Sequence, residues 1–305
     1  MTQLQTVPAP ISVLLELLAG RVQQVADAAE VRALILKGPF ASRIGLRQRA
    51  LSSDIDVLVE PGRLPDVLAG LSVLGWRARP ADPKDDVFPV HSVSLYHQSW
   101  PIDIDVHETF PGLEAPRAEA FDALWEDRRH EFAAGVEVAT TGVAGTVLIL
   151  ALNSLRSMWS QRSRNELDDL VSLAPGAVPG HTVLDLALSA GAAGPARPFL
   201  ERAYPENEPE VWPIPTRLWY LYSLNPESAS FRLIALREAP LRRRPAMLYR
   251  ALVPSRAALA SINLDALSMS RSELWLLRWR RLGRALRALP RIYRGYDRYR
   301  HQAGA

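Results

Sequence analysis

Ser53-Asp54-Ile55-Asp56-Val57-Leu58-Val59 is the stretch that decides the fold. In a strand, residues two apart share a face. Asp54, Asp56 and Leu58 therefore project one way, and Ile55, Val57 and Val59 the other. The two carboxylates lie roughly 7 Å apart along the backbone. Converging on one side, they repel each other unless a cation sits between them. Ile102-Asp103-Ile104-Asp105-Val106-His107 repeats the pattern. As antiparallel neighbours in one sheet, the two strands would set a third carboxylate beside the first pair. Three converging oxygen ligands suit Mg²⁺ or Mn²⁺. Two such ions about 4 Å apart can clamp the attacking and leaving oxygens of a phosphoryl or nucleotidyl transfer.

The flanks supply the rest of a mixed α/β half. Residues 11–29 carry a helical stripe of Leu14, Leu15, Leu17, Leu18, Val22 and Val25. Residues 31–36 form a short apolar strand closed by Lys37-Gly38-Pro39, followed by a helical turn at 40–44 and a basic loop with Arg43, Arg47 and Arg49. Residues 64–74 read as a helix stopped by Gly75, and 93–97 with 102–107 as a hairpin. Residues 116–129 are a predicted helix and 136–140 a strand. From residue 143 onward the pattern turns helical, over 143–162 and 166–173. Eight prolines between 175 and 215 cut that stretch into short helices. The expected divisions are 1–143, 144–262 and 263–305.

The ordered series resembles a known family. Leu36-Lys37-Gly38, an Arg-bearing loop, the Asp54-Ile55-Asp56 strand, a helix ending in Leu74-Gly75-Trp76, and later Asp105-Val106-His107 are similar to the uncharacterised nucleotidyltransferase family of the DNA polymerase β-like superfamily. The resemblance covers most of residues 30–160. It implies an α+β fold: a polymerase β-like domain of mixed sheet and flanking helices, then a mostly helical domain and a basic amphipathic C-terminal helix. It also implies a transferase that moves an NMP from an NTP to a hydroxyl or phosphate acceptor by a two-metal mechanism. Carried over by position, Asp54 and Asp56 would hold the metals. Asp105 would be the third ligand and assist deprotonation of the acceptor, with Asp103 on the same face as the fallback. Gly38 would let the backbone approach the triphosphate, and Arg49 corresponds to the family's loop arginine.

Three positions depart from the pattern. Pro39 removes an amide donor next to Gly38, Arg49 lies five rather than four residues before Asp54, and Asn153 falls where members often carry His. Among other residues, Lys37 is a candidate phosphate contact; Lys37 and Lys84 are the only lysines. Ser53 would bond a phosphate or the neighbouring carboxylate, or serve a local turn. His107 would orient a carboxylate, contact substrate or simply pack.

The chain has 305 residues and no Cys, so disulfides and thiolate metal sites are excluded. Its formal charge of +3 conceals an asymmetry: residues 231–305 carry a net +13 with 17 Arg, and residues 1–230 a net −10. Trp275, Trp279, Leu282, Leu286, Leu289, Tyr293 and Tyr296 recur four and three residues apart, flanked by arginines, with Pro290 expected to kink or break the helix. Three readings stay open for this tail: an anionic membrane surface, nucleic acid, or docking on the acidic body. With no targeting stretch and no run of about 20 apolar residues, a cytoplasmic and at most membrane-peripheral protein is expected.

Two rival functions fit the same residues. One is glycosyl transfer from a nucleotide-sugar on the same fold. The other is a tRNA-modifying, toxin-like or RNA-binding protein. The acceptor, whether small molecule, peptide or RNA, is not encoded in any motif.

Overall fold

The computed structural model describes residues 9–47, 54–80, 91–224 and 228–303. A first group of elements runs α1 (Ile11–Ala28), β1 (Ala33–Leu36), α2 (Pro39–Arg43), β2 (Asp54–Val59), α3 (Leu64–Val73), β3 (Arg77–Ala78), β4 (Ser92–Tyr96), β5 (Asp103–His107), α4 (Arg117–Glu126), β6 (Arg129–Ala133) and β7 (Val136–Thr140). Helices α5 (Val143–Leu155), α6 (Gln161–Ala177), α7 (Gly180–Ser189) and α8 (Ala193–Ala203) follow. The last group is α9 (Arg217–Leu224), α10 (Ser228–Glu238), α11 (Arg244–Leu252), α12 (Arg256–Ala260) and α13 (Arg271–Ala303). The fold is mixed α+β, as the resemblance implies.

The seven strands form one sheet in the order β3-β4-β5-β2-β1-β7-β6. Strands β1 and β2 are antiparallel, with Leu36 opposite Asp56. Strands β2 and β5 are parallel neighbours, not antiparallel ones as expected. The carboxylates converge all the same, because parallel pairing at this register aligns Asp54 with Asp103, Asp56 with Asp105 and Leu58 with His107. The β4–β5 hairpin is present, with Ser94 opposite Asp105.

The period-2 pattern divides the sheet into an apolar and a polar face. Ile35, Val57, Ile104 and Val106 are buried in one core with Leu15, Leu18 and Val22 of α1 and Val67 and Leu71 of α3. The acidic residues of β2 and β5 stand on the opposite face. Burying the apolar row fixes the register of both strands, since a slip of one residue would turn the carboxylates into the core.

Some elements differ from the sequence reading. Strand β6 occupies residues assigned in part to a helix over 116–129, and pairs with β7 through the two-residue link Ala134-Gly135. Both link residues have positive φ, 49° and 82°, the geometry of a type I′ turn. Helix α5 stops at Leu155 rather than running to 162, and α6 begins at Gln161. Helix α13 runs through Pro290 without a break.

The chain separates into two compact units. The first holds residues up to 77, 91–155 and 161–214, which include the sheet from β1 to β7 and α1–α8. The second holds 78–90, 156–160 and 215–305. In the second unit α13 packs on α9 and α10. Leu259, Ala260, Ala266 and Leu274 make a small core there, joining α12 to the start of α13. No helix among the described residues is long and apolar enough to cross a membrane.

Candidate active site

The site grows from the ends of three adjacent strands. Strand β1 ends at Leu36, opposite Asp56. The next residue, Lys37, has φ 57°, and Gly38 has φ 69°. Two consecutive left-handed residues turn the chain sharply out of the strand, a conformation uncommon for a residue with a Cβ. A Cβ on Gly38 would meet nothing within 4 Å, so glycine is needed for its backbone angles rather than for space. The Lys37 side chain reaches across to β2, where its ammonium stands 2.9 Å from Asp56 Oδ2. The same Nζ donates to Asn153 Oδ1 on α5 at 3.2 Å and lies 5.2 Å from the centre of the Phe110 ring.

The other oxygen of Asp56 is also engaged. His107 Nε2 lies 3.1 Å from Asp56 Oδ1. His107 is 2% exposed and Asp56 6%. The imidazole packs against the rings of His91 and Phe110, with centroids 5.7 Å away in each case. Its Nδ1 is buried and has no hydrogen-bond partner among the described residues.

Asp56, Asp105 and His107 bring one ligand atom each to within 4.8 Å of one another. They do so because Asp56 pairs with Asp105 across the strands and His107 lies two residues past Asp105 on the same face. Asp54 and Asp103 are half-buried and aligned with each other, one step earlier along the same strands. Among the described residues they are not part of that group.

The carboxyls of the cluster differ electrostatically. Burial raises the proton affinity of Asp56, but the His107 hydrogen bond and the Lys37 charge outweigh it and hold this carboxyl well below the usual range. Asp105 goes the other way. Burial pushes it up, the Ser94 hydroxyl opposes, and the charges of Asp56 and Asp54 add to the rise. The site thus holds one carboxylate with its charge compensated and one whose charge is poorly compensated. The two carboxylates are donors of the kind that hold Mg²⁺ or Mn²⁺, while the His107 imidazole is a softer donor.

Arg43 and Arg47 of the basic loop point to different places. Arg43 pairs with Glu16 on α1 at 2.6 Å. Arg47 pairs with Glu166 on α6 at 3.1 Å, and Arg162 holds the same carboxylate at 3.0 Å. Arg47, Arg162 and Glu166 line a cleft of about 520 Å³ together with Ser154, Asp169 and Leu150. Arg49 and Ser53 lie outside the described residues.

Of these neighbours, the sequence names His107 as a candidate to orient a carboxylate and Asn153 as a position where family members often carry His, but it does not point to Ser94. For His107 the signal was present, since it shares the face of Asp103 and Asp105. Ser94 follows only once the β4–β5 register is known. Nothing local points from Lys37 to Asn153, 116 residues away.

The sheet presents carboxylates from adjacent strands beside a strand-end lysine. The family described as uncharacterised nucleotidyltransferase matches residues 13–176, more than half of the chain, and the protein belongs to it. It is therefore a nucleotidyltransferase, an enzyme of the transferase class.

Several solved structures are similar over part of the chain. A nucleotidyltransferase-like antigenic protein from Paracoccidioides brasiliensis is 15% identical, with 63% of this chain and 91% of that one covered and a TM-score of 0.39. The antibiotic-resistance factor ANT(2'')-Ia is 15% identical, with 58% and 89% covered and a TM-score of 0.36. The lincosamide antibiotic adenylyltransferase LnuA, with lincomycin bound, is 14% identical, with 52% and 96% covered and a TM-score of 0.35. No curated protein sequence matches the chain.

Proposed function

We propose that the protein transfers an NMP from an NTP to a hydroxyl or phosphate acceptor, at a site on the polar face of β2 and β5. The observation that carries this reading is the convergence of Asp56, Asp105 and His107 within 4.8 Å, with Lys37 beside them. Asp54, Asp56 and Asp105 would hold Mg²⁺ or Mn²⁺, with Asp103 as the fallback. The ion would supply Lewis-acid neutralisation of the phosphate oxygens.

The protein's own residues take the remaining roles. The acceptor oxygen attacks the α-phosphorus, the α–β bridging P–O bond breaks, and pyrophosphate leaves. Asp105, with its raised proton affinity, takes the acceptor proton on a carboxylate oxygen and later passes it to solvent. Lys37 neutralises charge on the departing phosphates. Gly38, Arg49 and Ser53 would border the triphosphate. His107 keeps Asp56 oriented through its Nε2 contact, a positioning role. The α/β part over 1–143 would be catalytic, the helical part over 144–262 would shape the acceptor cleft, and 263–305 would lie outside the transfer step.

Transfer of label tests the reading. NTPs labelled at the α-phosphate and nucleotide-sugars labelled in the sugar are offered side by side, with small alcohols, peptides and RNA as acceptors. The expected result is acceptor-linked α-phosphate label that disappears in Asp56→Asn. Movement of the sugar label instead would assign glycosyl transfer and overturn the proposal.

A further inference from the structure

The C-terminal helix has three distinct sides. Leu274, Ala288, Ile292 and Tyr299 are buried, each at most 5% exposed; Leu274 belongs to the small core with α12, and further along α13 packs on α9 and α10. Tyr299 accepts a hydrogen bond from Arg217 of α9, and Arg237 of α10 donates to the Tyr296 hydroxyl at 3.1 Å.

The apolar stripe read from the sequence is not on that side. Trp275 is 51% exposed, Trp279 63%, Leu286 57%, Leu289 41% and Tyr293 53%. With half-buried Leu282 between Trp279 and Leu286, alternating steps of four and three residues lay them along one line, as 3.6 residues per turn requires. A second line has the same spacing: Arg280, Arg284, Arg287, Arg291, Arg294 and Arg298 are all exposed. Stepping 100° per residue puts the arginine line roughly 140° from the apolar line, with the buried side completing the circle. The helix therefore leaves a strip of indoles and leucines largely exposed on one side and a line of guanidiniums on another.

We propose that this face of α13 is a docking surface for an anionic lipid bilayer, with the helix lying flat in the interface. The chemistry of the two lines argues for this occupant. Leu286 and Leu289 gain by leaving water for acyl chains, and indole and phenol rings favour the headgroup boundary. The arginines of the second line reach anionic headgroups through their long side chains, each contributing about 1 kcal/mol near such a surface. Nucleic acid would use the arginines and the rings but leave the leucines in water. A second copy would bring together two regions that each carry a net +13. At 33 residues, α13 is about 50 Å long, so both lines extend over several turns. It does not cross the membrane, in keeping with its polar composition.

Co-sedimentation of the full chain with sucrose-loaded vesicles tests this, comparing phosphatidylglycerol-containing vesicles with pure phosphatidylcholine. The expected result is binding to the anionic vesicles only, released by raised salt. The variant W275S/W279S/L286S/L289S alters exposed side chains, so it should keep its circular dichroism and melting temperature while binding at least tenfold more weakly. R280Q/R284Q/R287Q/R291Q should lose at least as much. Equal binding to neutral vesicles, or unaltered binding by either variant, would overturn the proposal. So would failure of the wild type to sediment, whether it instead binds an RNA oligonucleotide or self-associates through the stripe.

Discussion

Lys37 and Asp56 form a nearly dry ion pair, 2.9 Å apart with side chains 10% and 9% exposed. The lysine comes from the end of β1 and the aspartate from β2, and the antiparallel register that sets Leu36 opposite Asp56 makes the contact possible. A buried carboxylate flanked by other carboxylates needs a cation, and Lys37 supplies it from within the chain.

Removing that cation should therefore destabilise the fold. Breaking one partner of a buried pair leaves the other uncompensated, at a cost of about 3 kcal/mol or more. Lys37→Met is expected to lose about that much in urea unfolding without divalent ions. Added Mn²⁺ should restore more stability to the variant than it adds to the wild type, since the ion takes over the charge. An unchanged urea midpoint would show that Asp56 does not depend on Lys37.

Gly38 should resist substitution for a conformational reason. Its φ of 69° and ψ of −146° are open to glycine and strained for residues with a Cβ, at about 1–3 kcal/mol. Gly38→Ala meets no steric neighbour, so the loss should equal backbone strain alone and appear as a lowered melting temperature. A variant as stable as the wild type would contradict the strain account.

Glu166 gives a pH dependence away from the carboxylate cluster. Burial raises its proton affinity, but hydrogen bonds from Arg162 and Arg47 outweigh that and hold the carboxyl below its usual range. A lowered folded-state value means stability that is present above the unfolded value and lost as pH falls below it. The expected outcome is a decline in unfolding free energy below about pH 4.5 that is shallower in Glu166→Gln. Urea unfolding across that range reads the slope, and identical slopes would count against the Arg47–Glu166 link.

The fold and site were legible in the sequence to different depths. Strands β2 and β5 stood out because period-2 alternation must put Asp on one face and Ile and Val on the other. Their parallel pairing was not legible, since it depends on how the chain crosses between them, not on either strand. Strand β6 was hidden because its tight turn uses Ala134-Gly135, without the Asn or Asp that usually advertises such a link. Likewise, the stripe on α13 was readable as a periodicity, but which side of the helix packs is decided by α9 and α10. The contact from Lys37 to Asn153 is purely tertiary, and a single sequence carries no mark of it.

The central claim is that Asp56 and Asp105 form the metal and nucleotide site. Mn²⁺ titration followed by electron paramagnetic resonance, in the presence of a non-hydrolysable NTP analogue, tests it without knowledge of the acceptor. The account predicts bound Mn²⁺ in the wild type, nucleotide-dependent in amount, and at least tenfold weaker binding in Asp56→Asn and Asp105→Asn. Equal Mn²⁺ binding in the wild type and both variants, or none in any of them, would contradict it.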